Sequence, residues 1–97
     1  MLIGKLVVDP AAVLAPMSGV TDLSFRLLCR EAGARLAYTG LISANAVRYR
    51  RDKTKALLAF PPRDHPIAAQ VFGADPEIVA AAAALAVECG ADMVDIN

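Results

Sequence analysis

Ala12-Val-Leu-Ala-Pro-Met-Ser-Gly-Val-Thr-Asp22 is the stretch whose reading decides the fold. An apolar run from Ala12 to Ala15 stops at Pro16. Proline has no N–H to give to a neighbouring strand, so a central strand does not continue through it. Met17, Ser18 and Gly19 follow, and Thr21-Asp22 opens a helix. Strand, small-residue turn, helix describes a loop that exposes its backbone at the carboxyl end of a strand. Parallel α/β proteins gather ligands at that end.

On either side of this stretch the pattern repeats. Upstream, Lys5–Val8 reads as a short strand and Asp9-Pro10 as a turn, which predicts a hairpin between residues 5–8 and 12–15. Downstream, a first helix is predicted over Asp22–Ala32, capped by Thr21 or Asp22 and stopped by Gly33. Phe25, Leu28, Cys29 and Ala32 form its expected buried stripe. Leu36–Thr39 is a second strand stopped by Gly40, and Ser43 caps a helical region from Ala44 to about Ala59. Pro66–Phe72 is a third strand, with Ala68, Gln70 and Phe72 on one face and Ile67, Ala69 and Val71 on the other. Asp75 as cap, Pro76 at the first helical position and Glu77 in the first turn announce a third helix. Its expected stripe is Ile78, Ala82, Leu85 and Cys89, and Gly90 ends it. Met93–Asn97 is a fourth strand, with Met93, Asp95 and Asn97 on one face.

Four strands thus alternate with three helices in 97 residues, at the roughly 25–30-residue spacing of βα units. Right-handed crossovers make the strands parallel and sequential neighbours. The unusual polar residues recur at the same strand end: Ser18, Thr39, Gln70, Asp95 and Asn97. Polar groups on apolar strands are costly unless partnered, so their recurrence points to one shared site. A complete (β/α)8 barrel needs about 250 residues. The expected fold class is therefore α/β, a partial (β/α)8 TIM barrel comprising about the first four strands and three helices, with a short N-terminal hairpin.

Composition narrows the function classes. Apolar residues make up 57% of the chain, above the ~45–50% of ordinary domains, and much of this is alanine. No apolar run reaches the ~18 residues of a membrane span. No signal-peptide core precedes the first strand, so a cytoplasmic location is expected. The formal net charge is zero, which argues against a surface that traps nucleic acid along its whole extent. Cys29 and Cys89 lie in helical patterns with no CxxC spacing, so no metal site or disulfide framework is expected. Five of the ten basic residues fall between Arg48 and Lys55. Such a run is ordinarily a solvated helix face; contact with phosphates is the alternative. His65 reads as a loop residue before the third strand.

Leu14-Ala-Pro-Met-Ser-Gly-Val-Thr-Asp22, followed by Phe25-Arg-Leu-Leu-Cys-Arg30, resembles the opening of the tRNA-dihydrouridine synthases. The resemblance continues in Tyr38-Thr39, Ser43-Ala44, Gln70-Val-Phe-Gly73 with Asp75-Pro76, and Gly90-Ala-Asp-Met-Val-Asp-Ile-Asn97. It implies the N-terminal half of a flavin-binding TIM-barrel domain over residues 1–97, in an enzyme whose further helical domain helps to hold tRNA. It implies FMN as cofactor, NADPH as reductant, and reduction of a tRNA uridine to 5,6-dihydrouridine. Pro16, Met17 and Ser18 would contact the isoalloxazine ring, the Gln70 amide would bond its pyrimidine edge, and Asn97 would lie near the substrate base, supported by Asp95. A primary amide suits that edge because it both donates and accepts.

Two departures stand out. Gly40 occupies the position where the family usually has glutamate. The family's protonating cysteine belongs to an Asn-x-Gly-Cys-Pro motif whose asparagine matches Asn97. The resemblance therefore places the general acid three residues past Asn97, so no catalytic residue is assigned within residues 1–97, and residues 1–97 alone are expected to be inactive. A half barrel would also leave strand edges and an apolar inner face exposed, so self-association is expected. Two rival readings stay open: an FMN-dependent barrel acting on a small pyrimidine, and a non-catalytic half barrel.

Overall fold

The computed structural model describes residues 1–9 and 12–97. Pro10, and with it the expected Asp9-Pro10 turn, lies outside the described residues. Twelve short elements follow one another. Strands β1 (Leu2–Ile3), β2 (Leu6–Val7) and β3 (Val13–Leu14) precede helix α1 (Leu23–Glu31). Strands β4 (Leu36–Tyr38) and β5 (Ile42–Ser43) lead into helices α2 (Ala44–Tyr49) and α3 (Arg51–Leu57). A 3₁₀ turn (Pro62–Asp64), strand β6 (Ile67–Phe72), helix α4 (Pro76–Glu88) and strand β7 (Met93–Ile96) complete the order.

Five of these strands form a parallel sheet. β3 pairs with β4, β4 pairs with β6 through Ala37↔Ile67, and β5 pairs with β6 through Ile42↔Val71. β7 pairs with β6 over Ala68↔Met93 to Val71↔Ile96, so it takes one edge of β6 while β4 and β5 share the other. β4 and β5 are one strand interrupted at Thr39–Leu41. Counted this way, four strand positions run in chain order across the sheet. This is the arrangement of the first part of a (β/α)8 barrel; the sheet is open and does not close on itself.

One face of the sheet is covered by helices. Ala69 and Val71 of β6 are buried with Ile42, Ala44, Val47, Leu58, Val79, Ala82, Leu85 and Ala86, and Val94 packs against them. The small residues allow close approach: a Cβ added at Gly73 would stand 2.9 Å from Val79 Cγ2 and 3.1 Å from Ala44 Cβ. Helix α4 begins and ends on its expected signals. Asp75 accepts from Glu77 N–H at 2.9 Å, Pro76 is the first helical residue, and Gly90 follows the helix at φ +101°. Its buried face is Val79, Ala82, Leu85 and Ala86, with Ile78 and Cys89 at the margin.

Three expectations are corrected. The N-terminal hairpin does not join residues 5–8 to 12–15. It is confined to β1 and β2, antiparallel with Leu2↔Val7, while β3 joins the parallel sheet beside β4. The Met1 ammonium and Val8 N–H close it by exchanging bonds with Val8 O and Met1 O. The region after Ser43 is not one helix to Ala59: Arg50 leaves helical geometry (φ −135°, ψ 49°), and α3 restarts there. Thr54 holds the bend, its hydroxyl donating to Arg50 O at 3.1 Å.

The third correction concerns α1, which does not bury the stripe Phe25–Leu28–Cys29–Ala32. Leu28 is 63% exposed, and the buried residue is Arg26. Arg26 Nε and Nη2 meet Asp64 Oδ2 at 2.9 and 2.8 Å, and Arg30 Nε meets Asp64 Oδ1 at 3.1 Å. Arg30 Nη2 also donates to Asp64 O and Pro66 O. Asp64 is completely buried. A charge this deep persists only when paired and hydrogen-bonded throughout, and that requirement turns the helix.

Candidate functional site

The loop from Pro16 to Asp22 is folded onto one carbonyl. Met17 O accepts from Val20 N–H, Thr21 N–H and the Thr21 hydroxyl, each at 3.0 Å. Met17 N–H donates back to Thr21 Oγ1 at 3.2 Å, and Thr21 is buried. Gly19 stands at φ +74°, the left-handed region that glycine occupies without strain. The result is a tight turn with Thr21 inside, Pro16 half-buried, and Met17 and Ser18 exposed at the carboxyl end of β3. Asp22 then caps α1, accepting from Phe25 N–H at 2.8 Å.

Thr39 links this loop side to the centre of the sheet. Its hydroxyl accepts from Gln70 N–H at 3.0 Å, taking the place of a strand carbonyl, and donates to Gly40 O at 2.8 Å. That substitution lets strand two break between β4 and β5 without leaving a buried N–H unpaired. Gly40 lies against the loop itself: a Cβ there would sit 3.5 Å from Ser18 Cα and 3.6 Å from Met17 O. Contacts therefore run continuously from the Met17 loop through Gly40 and Thr39 to Gln70.

Gln70 and Asp95 are register partners on β6 and β7. Gln70 Nε2 donates to Asp95 Oδ2 at 2.5 Å. Gln70 is only 7% exposed. Its Oε1 accepts no hydrogen bond from a described residue, yet it is not sealed from solvent. Tyr38 shares this face of the sheet. Burial, and then the charge of Asp95, raise its phenol above the ordinary value near 10. Asn97 follows β7; its N–H donates to Val71 O at 3.0 Å, and its side chain is exposed with no bond to a described residue.

Of the expected site residues, Gln70 and Asp95 thus share one face of β6 and β7, Asn97 follows β7 with an exposed side chain, and Pro16, Met17 and Ser18 lie on the loop joined to that face through Gly40. A cavity of about 340 Å³ opens on the other flank of that loop, between α1 and the end of α3. Ser18 and Thr39 among the expected residues line it, together with Thr21, Arg26 and Leu57. Cys29 lies in α1 and Cys89 at the end of α4, both helices that run back from the strands' carboxyl ends, so neither thiol is at the site. No group of three or more His, Cys, Asp or Glu among the described residues is arranged to hold a metal ion. No helix among them is long and apolar enough to cross a membrane.

Sequence reasoning missed the Arg26–Asp64–Arg30 cluster and the Tyr38 phenol; it named Thr39 at the strand end but not its bridge to Gln70. The spacing of Arg26 and Arg30, one helical turn apart, was the available signal for the first. His65, expected as a loop residue, also has a partner: Nδ1 lies 2.7 Å from Asp92 Oδ2, which accepts from Ile67 N–H as well.

Comparison with known proteins points to one family. The family model described as Dihydrouridine synthase (Dus) matches residues 13–97. The chain is 39% identical over 97 residues to tRNA-dihydrouridine synthase B of Shewanella oneidensis, covering 100% of this chain and 30% of that protein. It is 37% identical over 95 residues to the protein of that name from Pseudomonas aeruginosa, covering 98% of this chain and 29% of the relative. The Vibrio parahaemolyticus protein is 37% identical over 97 residues, with 100% and 30% covered. The chain thus spans about 30% of the length of these curated relatives. A parallel sheet in chain order, a Pro-Met-Ser loop at its carboxyl end and a family match across residues 13–97 lead to one conclusion: the chain belongs to the dihydrouridine synthase family.

Proposed function

We propose that residues 1–97 form the N-terminal half of the flavin-binding barrel of a tRNA-dihydrouridine synthase. In this reading the whole enzyme binds FMN, takes reducing equivalents from NADPH, and reduces uridine in tRNA to 5,6-dihydrouridine. One uridine and one NADPH with a proton give one dihydrouridine and one NADP⁺. When bound, FMN supplies the hydride chemistry that no side chain offers.

The observation that carries the reading is the Gln70 amide. It is a nearly buried primary amide at the carboxyl end of a parallel strand, with its Oε1 unpartnered by any described residue. Solvent reaches that atom, so it stands open to a ligand donor. The surrounding groups fit a flavin. Met17 gives a flat apolar contact from an exposed position, Pro16 and Ser18 give backbone and hydroxyl groups on the same loop, and Gln70 addresses the pyrimidine edge. Asn97, exposed beyond β7, is the residue assigned to the substrate base. The partner is tRNA, with no membrane and no metal required, in the cytoplasm where tRNA is processed.

FMN titration of the full chain tests the cofactor half of the reading. Quenching of flavin fluorescence, weakened by Gln70→Leu, is the expected result. A colourless protein that leaves flavin fluorescence unchanged after FMN is added would defeat it. Residues 1–97 by themselves are expected to give no single-turnover reduction of tRNA uridine, because neither Cys29 nor Cys89 stands at the strands' carboxyl ends.

A further inference from the structure

We infer that Asp95 is a positioning residue: its carboxylate fixes which way the Gln70 amide faces, and so sets the site to receive a ligand edge that carries an N–H donor. The inference rests on chemistry as well as distance. A carboxylate has only acceptors, whereas an amide has a donor end and an acceptor end. At 2.5 Å from Asp95 Oδ2 only the NH2 end of Gln70 can stand. The reverse orientation would press two acceptors together. The amide carbonyl is thereby assigned to the ligand side, where no described residue meets it and solvent reaches it.

Strand register and the Thr39 hydroxyl hold the pair in place. Gln70 and Asp95 are fixed opposite each other by the β6–β7 register. The Gln70 backbone is held by Thr39 Oγ1 at 3.0 Å. Tyr38 shares the face, and burial first and then the Asp95 charge raise its phenol. The site therefore offers an acceptor in a fixed place. Within the flavin reading, on which this part rests, the matching group is the imide N3–H of the isoalloxazine, between its two carbonyls. Asp95 touches no ligand in this account; it acts through Gln70.

The test has two arms on the full chain. Gln70 is the only glutamine in the sequence, so labelling glutamine side chains with ¹⁵N gives a single NH2 pair in the spectrum. In the unmodified chain this pair is expected to be widely split and slow to exchange with solvent. Asp95→Ala should collapse the splitting, and the near-isosteric Asp95→Asn should broaden it, because asparagine permits both amide orientations. An unchanged pair in both variants overturns the inference, whatever the flavin does. The second arm titrates FMN against 3-methyl-FMN, which lacks the imide proton. The unmodified chain is expected to prefer FMN by about tenfold or more, the effect of leaving a nearly buried acceptor unpaired. Asp95→Asn should narrow that preference to about threefold or less, since its amide lets Gln70 turn over. Equal affinity of the unmodified chain for both flavins refutes the donor-edge assignment. No affinity for either flavin defeats the cofactor reading instead, and the amide spectrum then decides the role of Asp95 alone.

Discussion

Replacing Asp64 by alanine removes the acceptor for two guanidinium groups at once. Arg26 is 4% exposed, and Asp64 is wholly buried. Asp64→Ala leaves the Arg26 charge with the Thr21 carbonyl, at 2.6 Å, and the face of the Phe60 ring, whose centroid lies 6.0 Å from the guanidinium carbon. Breaking a buried pair by deleting one partner costs about 3–5 kcal/mol, because the remaining charge stays desolvated. A domain of this size has about 5–15 kcal/mol of total stability, so the loss is a large share of it. The thermal midpoint should fall by roughly 10 °C or more. Urea denaturation followed by circular dichroism measures the change directly. A control separates burial from attraction: the triple substitution Arg26→Met, Arg30→Met and Asp64→Leu removes all three charges together. It is expected to lie within about 2 kcal/mol of the unmodified chain, since apolar packing can replace a buried ion cluster. A loss below about 1 kcal/mol for Asp64→Ala would refute the reasoning. So would a triple variant as unstable as the single one.

Two further predictions come from packing and from charge. Gly73→Ala should destabilise by about 1–3 kcal/mol in the same urea assay, because the new methyl would stand 2.9 Å from Val79 Cγ2 and 3.1 Å from Ala44 Cβ; an unchanged midpoint would show that α4 shifts freely. Tyr38, raised above 10 in the folded chain mainly by burial, contributes stability that is fully present below pH 10 and is lost as pH rises through its raised value. The alkaline loss of stability should therefore be smaller in Tyr38→Phe, and absorbance at 295 nm should show a phenol titrating late; equal alkaline loss in both chains would contradict this.

The parallel sheet and α4 were legible because their signals are local. Pro16 stops a strand, Asp75-Pro76 starts a helix, and the alternation of Ile67–Phe72 sorts Gln70 from its apolar neighbours before any contact is known. Gln70 and Asp95 also fall on matching faces by period alone. What escaped was set by partners distant in sequence. Arg26 counts as polar in any periodicity, so the buried face of α1 could not be read without Asp64, 38 residues away. The bend at Arg50 has no glycine or proline to mark it. The hairpin was misplaced because Leu2–Val7 and Val13–Leu14 have similar apolar character. Only the parallel pairing of β3 with β4 separates them.

Arg26 has one more consequence. Its Nη1 donates to Thr21 O, and Thr21 closes the turn that holds Met17. The same guanidinium is anchored on Asp64, in the 3₁₀ turn Pro62–Asp64. It is a strut between the foundation of the helix and the wall of the candidate site. The exposed loop is thus stiffened from within by a side chain, with no strand ladder beyond Leu14 to do so. Sequence change around Asp64, far from any ligand, would reach the site as a displacement of Met17.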